Sequence, residues 1–178
     1  VNLLEMKGGR AVGLSGMDGR LLQCDVKDPR LGFVGEIRKV HIQPVTDLLD
    51  RGYIPVISTV GCDQSGNAYN INGDTAAAFI AGSLGAERLI MMTDIAGVLR
   101  DKNNPDTLIP EITLPELPAL YDSGIISGGM IPKVECCADA LARGVRNVVI
   151  MDGRVPHAIL MELLTNEGAG TWIRGDQR

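Results

Sequence analysis

The sequence predicts an α/β fold with a mostly parallel central sheet and helices on both faces. Apolar runs typical of strands alternate with helical stripes from Gln43 onward, as expected of strand–helix–strand units. Hydrophobic residues make up 45% of the 178 residues but aromatic ones only 3%, so the core is expected to be aliphatic. Leu89–Met92 is a short, continuous apolar run, which is typical of a parallel strand covered on both faces.

Each element follows from a local pattern. Strands are expected at short apolar runs bounded by turn residues, namely Ala11–Ser15, Leu21–Cys24, Phe33–Val40, Tyr53–Ser58, Leu89–Thr93 and Asn147–Met151. Helices are expected where apolar residues recur with a helical period, namely Gln43–Arg51, Asn72–Leu84, Pro115–Ser123, Pro132–Arg143 and His157–Leu164. The early glycine-rich strands are interpreted as hairpins beside the main sheet. Pro55 argues against an ordinary central position for its strand, because proline donates no ladder hydrogen bond.

Composition excludes several classes of function. The net charge of −5 offers no electrostatic basis for nucleic-acid binding. No apolar run approaches the ~18 residues of a membrane-spanning helix. The cysteines include the vicinal pair Cys136 and Cys137 but no Cys-x-x-Cys, and the only histidines are His41 and His157. A transition-metal site held by protein ligands is therefore not expected.

The most informative motif is Asn70-Ile71-Asn72-Gly73-Asp74, which follows a hairpin signal at 63–67 and opens an alanine-rich helix. Asn72 suits the N-cap, because its side-chain oxygen can accept a free backbone N–H of the first turn. The helix dipole favours the charge of Asp74. Asn70 lies outside the helix and is a candidate for ligand binding. A capped helix and a turn remain the alternative interpretation of this motif.

A second motif, Ile125–Val134, places glycines and a lysine at the start of another helix. Pro132 is compatible with a first helical turn, where its missing N–H costs little. Lys133 is then a cation at the end of the helix where the dipole disfavours positive charge. A glycine-flanked helix start with a lysine attracts anions, phosphate above all. The alternative for Lys133 is a solvated surface lysine.

The third motif, Thr93–Leu99, directly follows the apolar run at Leu89–Met92. In open α/β sheets ligands bind just beyond the carboxyl ends of the strands. Thr93 and Asp94 could donate or accept hydrogen bonds there, and Gly97 would let the backbone approach a ligand closely. The alternative for Asp94 is an ordinary turn-forming residue.

These motifs, in this order, resemble the acetylglutamate kinases of the amino-acid-kinase family, especially those of plants, algae and cyanobacteria. Further segments fit the same resemblance, namely Ala11–Arg20, Leu31–Glu36, Tyr53–Ile57 and Glu167–Thr171. The resemblance implies the αβα sandwich of that family. It also implies transfer of phosphate from ATP to the γ-carboxylate of N-acetyl-L-glutamate, in arginine biosynthesis. Mg²⁺ would be carried mainly by the nucleotide phosphates.

The resemblance assigns roles residue by residue. Asn70 would contact acetylglutamate, Lys133 would stabilise the transferring phosphoryl group, and Asp74 would organise the lysines of the active site. Two segments would line the nucleotide site, formed by Asp94, Ile95, Ala96, Gly97, Val98 and Leu99 and by Ile125, Ile126 and Ser127.

The same resemblance predicts one amino-acid-kinase domain over 1–178, with 1–70 in the acetylglutamate-binding lobe and 71–178 in the nucleotide-binding lobe. The chain is expected to be the carboxyl-terminal portion of such a kinase. The family's amino-terminal strand end with a second phosphate-binding lysine, its glycine-rich loop and its substrate-binding arginine are not found in this sequence. Low kinase activity is therefore expected of this chain alone.

A non-catalytic regulatory piece remains the alternative function. In arginine-sensitive relatives the carboxyl-terminal region forms an arginine site, to which His157, Glu167 and Gly170 look similar. Glu167 could bind a guanidinium bidentately, although it could also be a solvated loop charge, and His157 could simply cap a helix. The resemblance further implies a homo-oligomer, possible binding of the PII signalling protein, and a location in the cytoplasm or the plastid stroma.

Overall fold

The structure is a computed structural model that describes residues 1–165 and 168–175. The chain divides into two compact units, Val1–Leu84 and Gly85–Arg178. The helix expected to open the nucleotide-binding lobe thus belongs to the first unit. The roles assigned to the two lobes remain predictions.

The first unit contains strands and helices in the order α1 (Asn2–Glu5), β1 (Ala11–Ser15), β2 (Leu22–Val26), β3 (Gly35–Val40), α2 (Gln43–Asp50), β4 (Ile54–Ser58), β5 (Val60–Cys62), β6 (Ala68–Asn70) and α3 (Gly73–Leu84). Strands β1 and β4 form a parallel pair, while β3, β2, β5 and β6 form a four-stranded sheet in that order. The expected hairpin between β2 and β3 is confirmed, as is the hairpin between β5 and β6. The expectation that β1 also belongs to a hairpin is wrong, because its partner is the distant strand β4.

Pro55 is accommodated by the hydrogen-bonding direction of β4. The Ile54 N–H donates to the Arg10 carbonyl beside β1 at 2.7 Å. Successive residues of a strand direct their backbone groups to opposite sides, so the nitrogen of Pro55 faces away from β1. Its missing N–H therefore removes no bond of the β1–β4 ladder.

The core of the first unit lies between the four-stranded sheet and its helices. Its buried members include Leu21 and Leu22 at the start of β2, Ile71 after β6, and Ala76 of α3. The helix α3 packs against β3. Ile71 is thus held in the core while its neighbours Asn70 and Asn72 stay exposed.

The second unit contains β7 (Arg88–Thr93), β8 (Glu111–Thr113), α4 (Leu117–Asp122), α5 (Met130–Ala142), β9 (Asn147–Asp152), α6 (Ala158–Leu164) and β10 (Gly170–Arg174). Its sheet has the order β7-β9-β10-β8. Strands β7 and β9 are parallel, β9 and β10 antiparallel, and β10 and β8 parallel. The sheet is therefore partly parallel, with one antiparallel join at its centre.

Helices cover both faces of this sheet, as expected. Cys137 of α5 lies 3.4 Å from the sulfur of Met91, whose partner in the ladder is Ile150. Ala158 of α6 instead clusters with Val149 and Met151. Because successive residues of β9 point to opposite faces, α5 and α6 lie on opposite sides. The expected α/β architecture is confirmed.

Differences from the expected elements are confined to short strands and helix ends. The strands expected from the sequence did not include β5, β6, β8 or β10, which have only three to five residues each. Helix α5 begins at Met130, two residues before the expected start at Pro132. Pro132 still lies in the first turn, where its backbone nitrogen needs no helical partner. In the described ranges, no helix is both long enough and apolar enough to cross a membrane.

Candidate functional site

The loop after β7 is organised by its own side chains. Thr93 ends the strand, and its hydroxyl accepts a hydrogen bond from the Ile95 N–H at 3.1 Å and donates to the Ile95 carbonyl at 3.2 Å. Gly97 has a φ of 146°, and a Cβ there would lie 2.5 Å from the Thr171 hydroxyl. Only glycine fits this place. The Thr93–Leu99 segment is therefore a compact turn with its backbone packed against β10.

Thr171 holds the far end of this loop. Its hydroxyl is completely buried, accepts a hydrogen bond from the Val98 N–H at 2.8 Å, and donates to the Ile109 carbonyl at 2.7 Å. One side chain thus satisfies two buried backbone groups. The sequence marked Glu167–Thr171 as part of the resemblance but assigned Thr171 no role. The contact with Val98 spans 73 residues, so no local pattern could have indicated it.

Arg154 holds the near end of the loop. Its guanidinium donates to both carboxylate oxygens of Asp152, at 2.9 and 2.8 Å, and also to the Asp94 carbonyl at 2.5 Å. The neighbouring guanidinium lowers the pKa of the Asp152 carboxyl to about 2. The carboxylate therefore stays ionised at any physiological pH. The sequence did not single out either residue.

The structure brings the end of this loop to the second nucleotide segment. A cleft of about 270 Å³ is lined by Leu99, Arg100, Asp101, Lys102, Gly124, Ile125 and Ser127. Of the nine residues expected at the nucleotide site, Leu99, Ile125 and Ser127 line this cleft, whereas Val98 and Ile126 are buried beside it. Arg100 and Lys102 were not predicted, because their surroundings in the sequence suggested only a polar loop. They place positive charge next to two aliphatic side chains.

Lys133 is the fourth residue of α5 and is partly buried. The helix begins after Gly128, with a φ of 55°, and Gly129, whose N-cap position carries no side-chain hydrogen bond within the described residues. The Met130 and Ile131 N–H groups at the start of α5 donate to the Ser127 and Gly128 carbonyls, at 3.1 and 3.2 Å, and Pro132 has no N–H. The positive charge at this helix end is therefore that of the Lys133 side chain.

Asn70 and Asp74 lie in the first unit. Asn70 ends β6, is exposed, and donates its backbone N–H to the Phe33 carbonyl at 2.8 Å. The Asn72 side chain accepts a hydrogen bond from the Thr75 N–H at 3.0 Å, so its predicted N-cap role is confirmed. Asp74 is the second residue of α3 and is partly buried. Because Asn72 already caps the helix, neither Asn70 nor Asp74 is needed for that task.

A second cavity, of about 450 Å³, includes one of the three residues expected to bind arginine. It is lined by Arg88, Pro110, Glu111, Glu162, Leu163, Thr165, Gly168, Gly170, Trp172 and Arg174. Gly170 was predicted, Glu167 lies outside the described residues, and His157 does not belong to this lining. His157 occupies the N-cap position of α6 with a φ of 63°, and its side chain makes no capping bond in the described part of the chain.

The charges of this second cavity were not predicted. Glu162 is 3% exposed; its Oε2 accepts a hydrogen bond from the Ala169 N–H at 2.8 Å, while its Oε1 has no partner among the described residues. The guanidiniums of Arg88 and Arg174 stack on the Trp172 ring at 4.5 and 4.8 Å. Sequence patterns did not single out Glu162, whose hydrogen-bond partner Ala169 lies seven residues further along the chain, just before β10.

The described residues contain no cluster of three or more His, Cys, Asp or Glu side chains that could hold a metal ion. The first cleft is lined by the cationic side chains of Arg100 and Lys102, the carboxylate of Asp101 and the aliphatic side chains of Leu99 and Ile125. Such a set suits a phosphate-bearing ligand with an apolar ring.

Comparison with known proteins agrees with this chemistry. The sequence is 51% identical over 175 residues to an acetylglutamate kinase of Clostridioides difficile, covering 98% of this chain and 61% of that protein. It is also 51% identical over 178 residues to an acetylglutamate kinase of Nostoc sp., covering 99% of this chain and 60% of that protein. The chain therefore spans about 60% of the length of these relatives. The resemblance to acetylglutamate kinases is confirmed, and cyanobacterial relatives are among them.

Solved structures show the same architecture. An N-acetylglutamate synthase from Neisseria gonorrhoeae, complexed with coenzyme A and L-arginine, matches with a TM-score of 0.78 and 28% identity, covering 93% of this chain and 38% of that one. An isopentenyl phosphate kinase matches in fold, with a TM-score of 0.68 and 24% identity over 97% of this chain and 62% of that one. The model of the amino acid kinase family matches residues 1–152. The chain belongs to the amino acid kinase family.

Proposed function

We propose that this chain is part of an acetylglutamate kinase, which phosphorylates the γ-carboxylate of N-acetyl-L-glutamate with ATP to give N-acetyl-L-glutamyl 5-phosphate. The observation that carries the proposal is the 51% identity with acetylglutamate kinases over nearly the whole chain. The reaction belongs to arginine biosynthesis.

The nucleotide would occupy the cleft between Leu99 and Ile125. Both side chains are partly buried and apolar, which suits the faces of a purine ring, and Arg100 and Lys102 add positive charge for phosphates. Mg²⁺ would arrive bound to the nucleotide phosphates, because the described residues offer no metal-binding cluster of their own.

The demands of the reaction fit the residues assigned to it. The acceptor is already a carboxylate, so no general base is needed to remove a proton. The barrier lies in bringing two anions together and in stabilising charge on the transferring phosphoryl oxygens. Lys133 at the start of α5 would stabilise that charge, Asp74 would hold the cationic side chains in position, and Asn70 would bind acetylglutamate through its carboxamide.

Calorimetry with Mg-ADP tests the nucleotide site directly. We expect the chain to bind Mg-ADP, and we expect Lys102→Ala to weaken that binding because it removes a charge from the cleft. Lys39→Ala, which removes an exposed lysine in β3 of the first unit, is the matched control and should bind as wild type. A folded wild-type chain that fails to bind nucleotide would contradict the proposal.

A second candidate function, binding of arginine as an effector, is favoured by the buried Glu162. The Oε1 of Glu162 has no partner among the described residues, and such a carboxylate oxygen inside a cavity suits a cationic ligand, because an unpaired buried charge is costly. Gly170 lines the same cavity, and His157 and Glu167 are proposed only from the resemblance. L-Arginine should raise the melting temperature of wild type but not of Glu162→Gln. Glu135→Gln, at an exposed site on α5, is the control.

Other partners are proposed from the resemblance alone. These are a second copy of the chain, as in a homo-oligomer, and the PII signalling protein. A cytoplasmic or plastid location is proposed on the same ground. Sedimentation of the chain, alone and mixed with a PII protein, tests both associations.

A further inference from the structure

The nucleotide loop after β7 receives a contact from β9 that none of the assigned roles explains. Asp152, Gly153 and Arg154 end β9 and begin the turn that follows. The Gly153 N–H donates to the Thr93 carbonyl at 2.8 Å, and the Arg154 guanidinium donates to the Asp94 carbonyl at 2.5 Å. Two successive carbonyls at the start of the loop are therefore held by two successive residues of the neighbouring strand end.

Arg154 is itself held in one orientation. Its Nε and one terminal nitrogen bind the two carboxylate oxygens of Asp152, and its backbone N–H donates to the same carboxylate at 2.8 Å. The side chain of Asp152 is only 15% exposed, whereas that of Arg154 is 68% exposed. The mostly buried carboxylate of Asp152 thus orients the largely solvent-exposed guanidinium of Arg154. In this orientation one guanidinium N–H points at the Asp94 carbonyl in the loop after β7.

The first unit contains the same local arrangement without the contact to a loop. In Asp28-Pro29-Arg30 the arginine also makes a bidentate pair with the aspartate two residues before it, and its backbone N–H also donates to that carboxylate, at 2.9 Å. No other hydrogen-bond acceptor is bound by the Arg30 guanidinium among the described residues. The pair is therefore a local turn motif, and the bond to Asp94 is what distinguishes Arg154.

We propose that Arg154, oriented by Asp152, is a positioning residue for nucleotide binding: it fixes the start of the loop Asp94–Leu99 through the Asp94 carbonyl. Thr171 fixes the other end of the same loop at Val98. With both ends held, the loop enters the cleft at Leu99 in one conformation, so little conformational freedom is lost when a nucleotide binds. The inference rests on the proposed nucleotide site.

The test measures Mg-ADP affinity by calorimetry and the melting temperature of the ligand-free chain, for wild type, four single variants and one double variant. Arg154→Ala should raise the Kd about five- to tenfold, since it removes a charged hydrogen bond that is partly exposed to solvent. Arg154→Lys should give an intermediate Kd, because one ammonium cannot reproduce the planar fork that serves Asp152 and Asp94 together. Arg30→Ala is the matched control and should leave the Kd unchanged.

Asp152→Asn separates positioning from direct contact with the nucleotide. If Arg154 acts on the loop, loss of the carboxylate should weaken nucleotide binding about two- to threefold, and the double variant with Arg154→Ala should bind no worse than Arg154→Ala alone. If Arg154 instead binds a phosphate directly, releasing it from Asp152 would leave the affinity unchanged or increase it. That result would overturn the proposal.

The remaining outcomes are equally decisive. If Arg154→Lys binds Mg-ADP with the wild-type Kd, the positive charge alone matters. If Arg154→Ala does so, the bond to Asp94 is dispensable. Either result overturns the inference but leaves the proposed function intact. A lower melting temperature with unchanged Kd would reduce Arg154 to a structural role and also overturns it. Failure of the wild type to bind Mg-ADP removes the proposed function, and this inference with it.

Discussion

Lys133 places a positive charge at a helix end where the helix dipole disfavours it. A cation in the first turn of α5 is disfavoured by the helix dipole by about 0.3–1 kcal/mol. Lys133 is partly buried there, beside a glycine that offers no side chain at the N-cap. A bound phosphoryl group would remove the unfavourable interaction, and stabilising that group is the role that we propose for Lys133.

We therefore expect Lys133→Ala to lower kcat much more than it weakens acetylglutamate binding, when measured in an active, longer kinase that contains this chain. Interactions made mainly in the transition state affect kcat, whereas uniform binding affects KM. The loss should be on the order of 10²–10³ in rate, as for one oxyanion donor. Steady-state kinetics with both substrates measure it. An unchanged kcat would make Lys133 an ordinary surface lysine.

Asn70 and Asp74 lie four residues apart but should differ in kinetic behaviour. Asn70→Ala should mainly raise the KM for acetylglutamate, because a carboxamide offers a donor and an acceptor to a ligand with an amide and carboxylates. Asp74→Ala should mainly lower kcat, because a carboxylate near two reacting anions helps only by positioning cations. Thermal melts run alongside provide the control: a lower melting temperature with intact kcat would show that Asp74 only stabilises α3.

At the scale of single elements, β10 determines the shape of the second unit. It lies between β9 and β8, and it brings Thr171 to the loop after β7 and Trp172 to the cavity beside Glu162. Gly170 starts the strand where any Cβ would collide with the Ile150 carbonyl. A glycine at this place is required for the close antiparallel pairing with β9, on which both sites depend.

Thr171→Val should destabilise the protein and weaken nucleotide binding together. The substitution keeps the shape of the side chain but leaves the buried Val98 N–H and Ile109 carbonyl without their partner. The cost is about 1–3 kcal/mol for a buried group left unsatisfied. Urea denaturation and calorimetry with Mg-ADP measure the two effects. Thr46→Val removes a hydroxyl at the surface of α2 and should change neither quantity; equal effects of the two variants would contradict the assigned role.

Strand β2 carries a thiol that links stability to pH. Burial, followed by the charges of Cys62, Asp63 and Asp25, raises the pKa of Cys24 from 9.0 to about 11. Since the thiol ionises more easily in the unfolded chain, its contribution to stability is fully present below pH 9 and is lost as the pH rises from about 9 towards 11. We expect Cys24→Ala to reduce the fall in unfolding free energy over that range.

Denaturation at a series of pH values checks this expectation, with Cys136→Ala, at a partly buried position on α5, as the control. Other groups titrate in the same range in every variant, so the comparison is between slopes. Identical slopes for wild type and Cys24→Ala would contradict the prediction.

At the scale of the whole molecule, the chain comprises two compact units and about 60% of the length of its relatives. The proposed nucleotide cleft lies entirely within the second unit. Residues assigned to acetylglutamate lie in the first. The residues assigned to nucleotide binding therefore lie in the second unit, whereas those assigned to phosphoryl transfer are divided between the two units.

We expect the 178-residue chain to bind Mg-ADP but to show little acetylglutamate kinase activity. The cleft, Lys133 and the loop after β7 are present, but the chain spans only about 60% of the length of the acetylglutamate kinases that it matches. A coupled kinase assay, with a full-length relative as the positive control, measures the turnover. A rate near that of the relative would contradict this expectation.

The sequence alone was sufficient where the signal is local and long enough to be periodic. The helix α3 and its Asn72 cap, the strand β7 and the glycine-rich start of α5 all follow from neighbouring residues, and their motifs led to the family that the comparisons show. Strands such as β5, β6 and β8 have three residues each, too few for an alternating pattern to be distinguished from a loop.

Only the tertiary structure decided which distant groups meet. The parallel pairing of β1 with β4, the burial of Glu162, and the bonds from Thr171 to Val98 and from Arg154 to Asp94 join residues far apart in the chain. Local preferences carry no information on such pairs, because a backbone N–H or carbonyl bonds with any suitable partner that the packing brings to it. Some residues of the two candidate sites could therefore be predicted from the sequence. The contacts that hold those residues in place result from the packing of β9 and β10 beside β7 and β8, which the sequence does not predict.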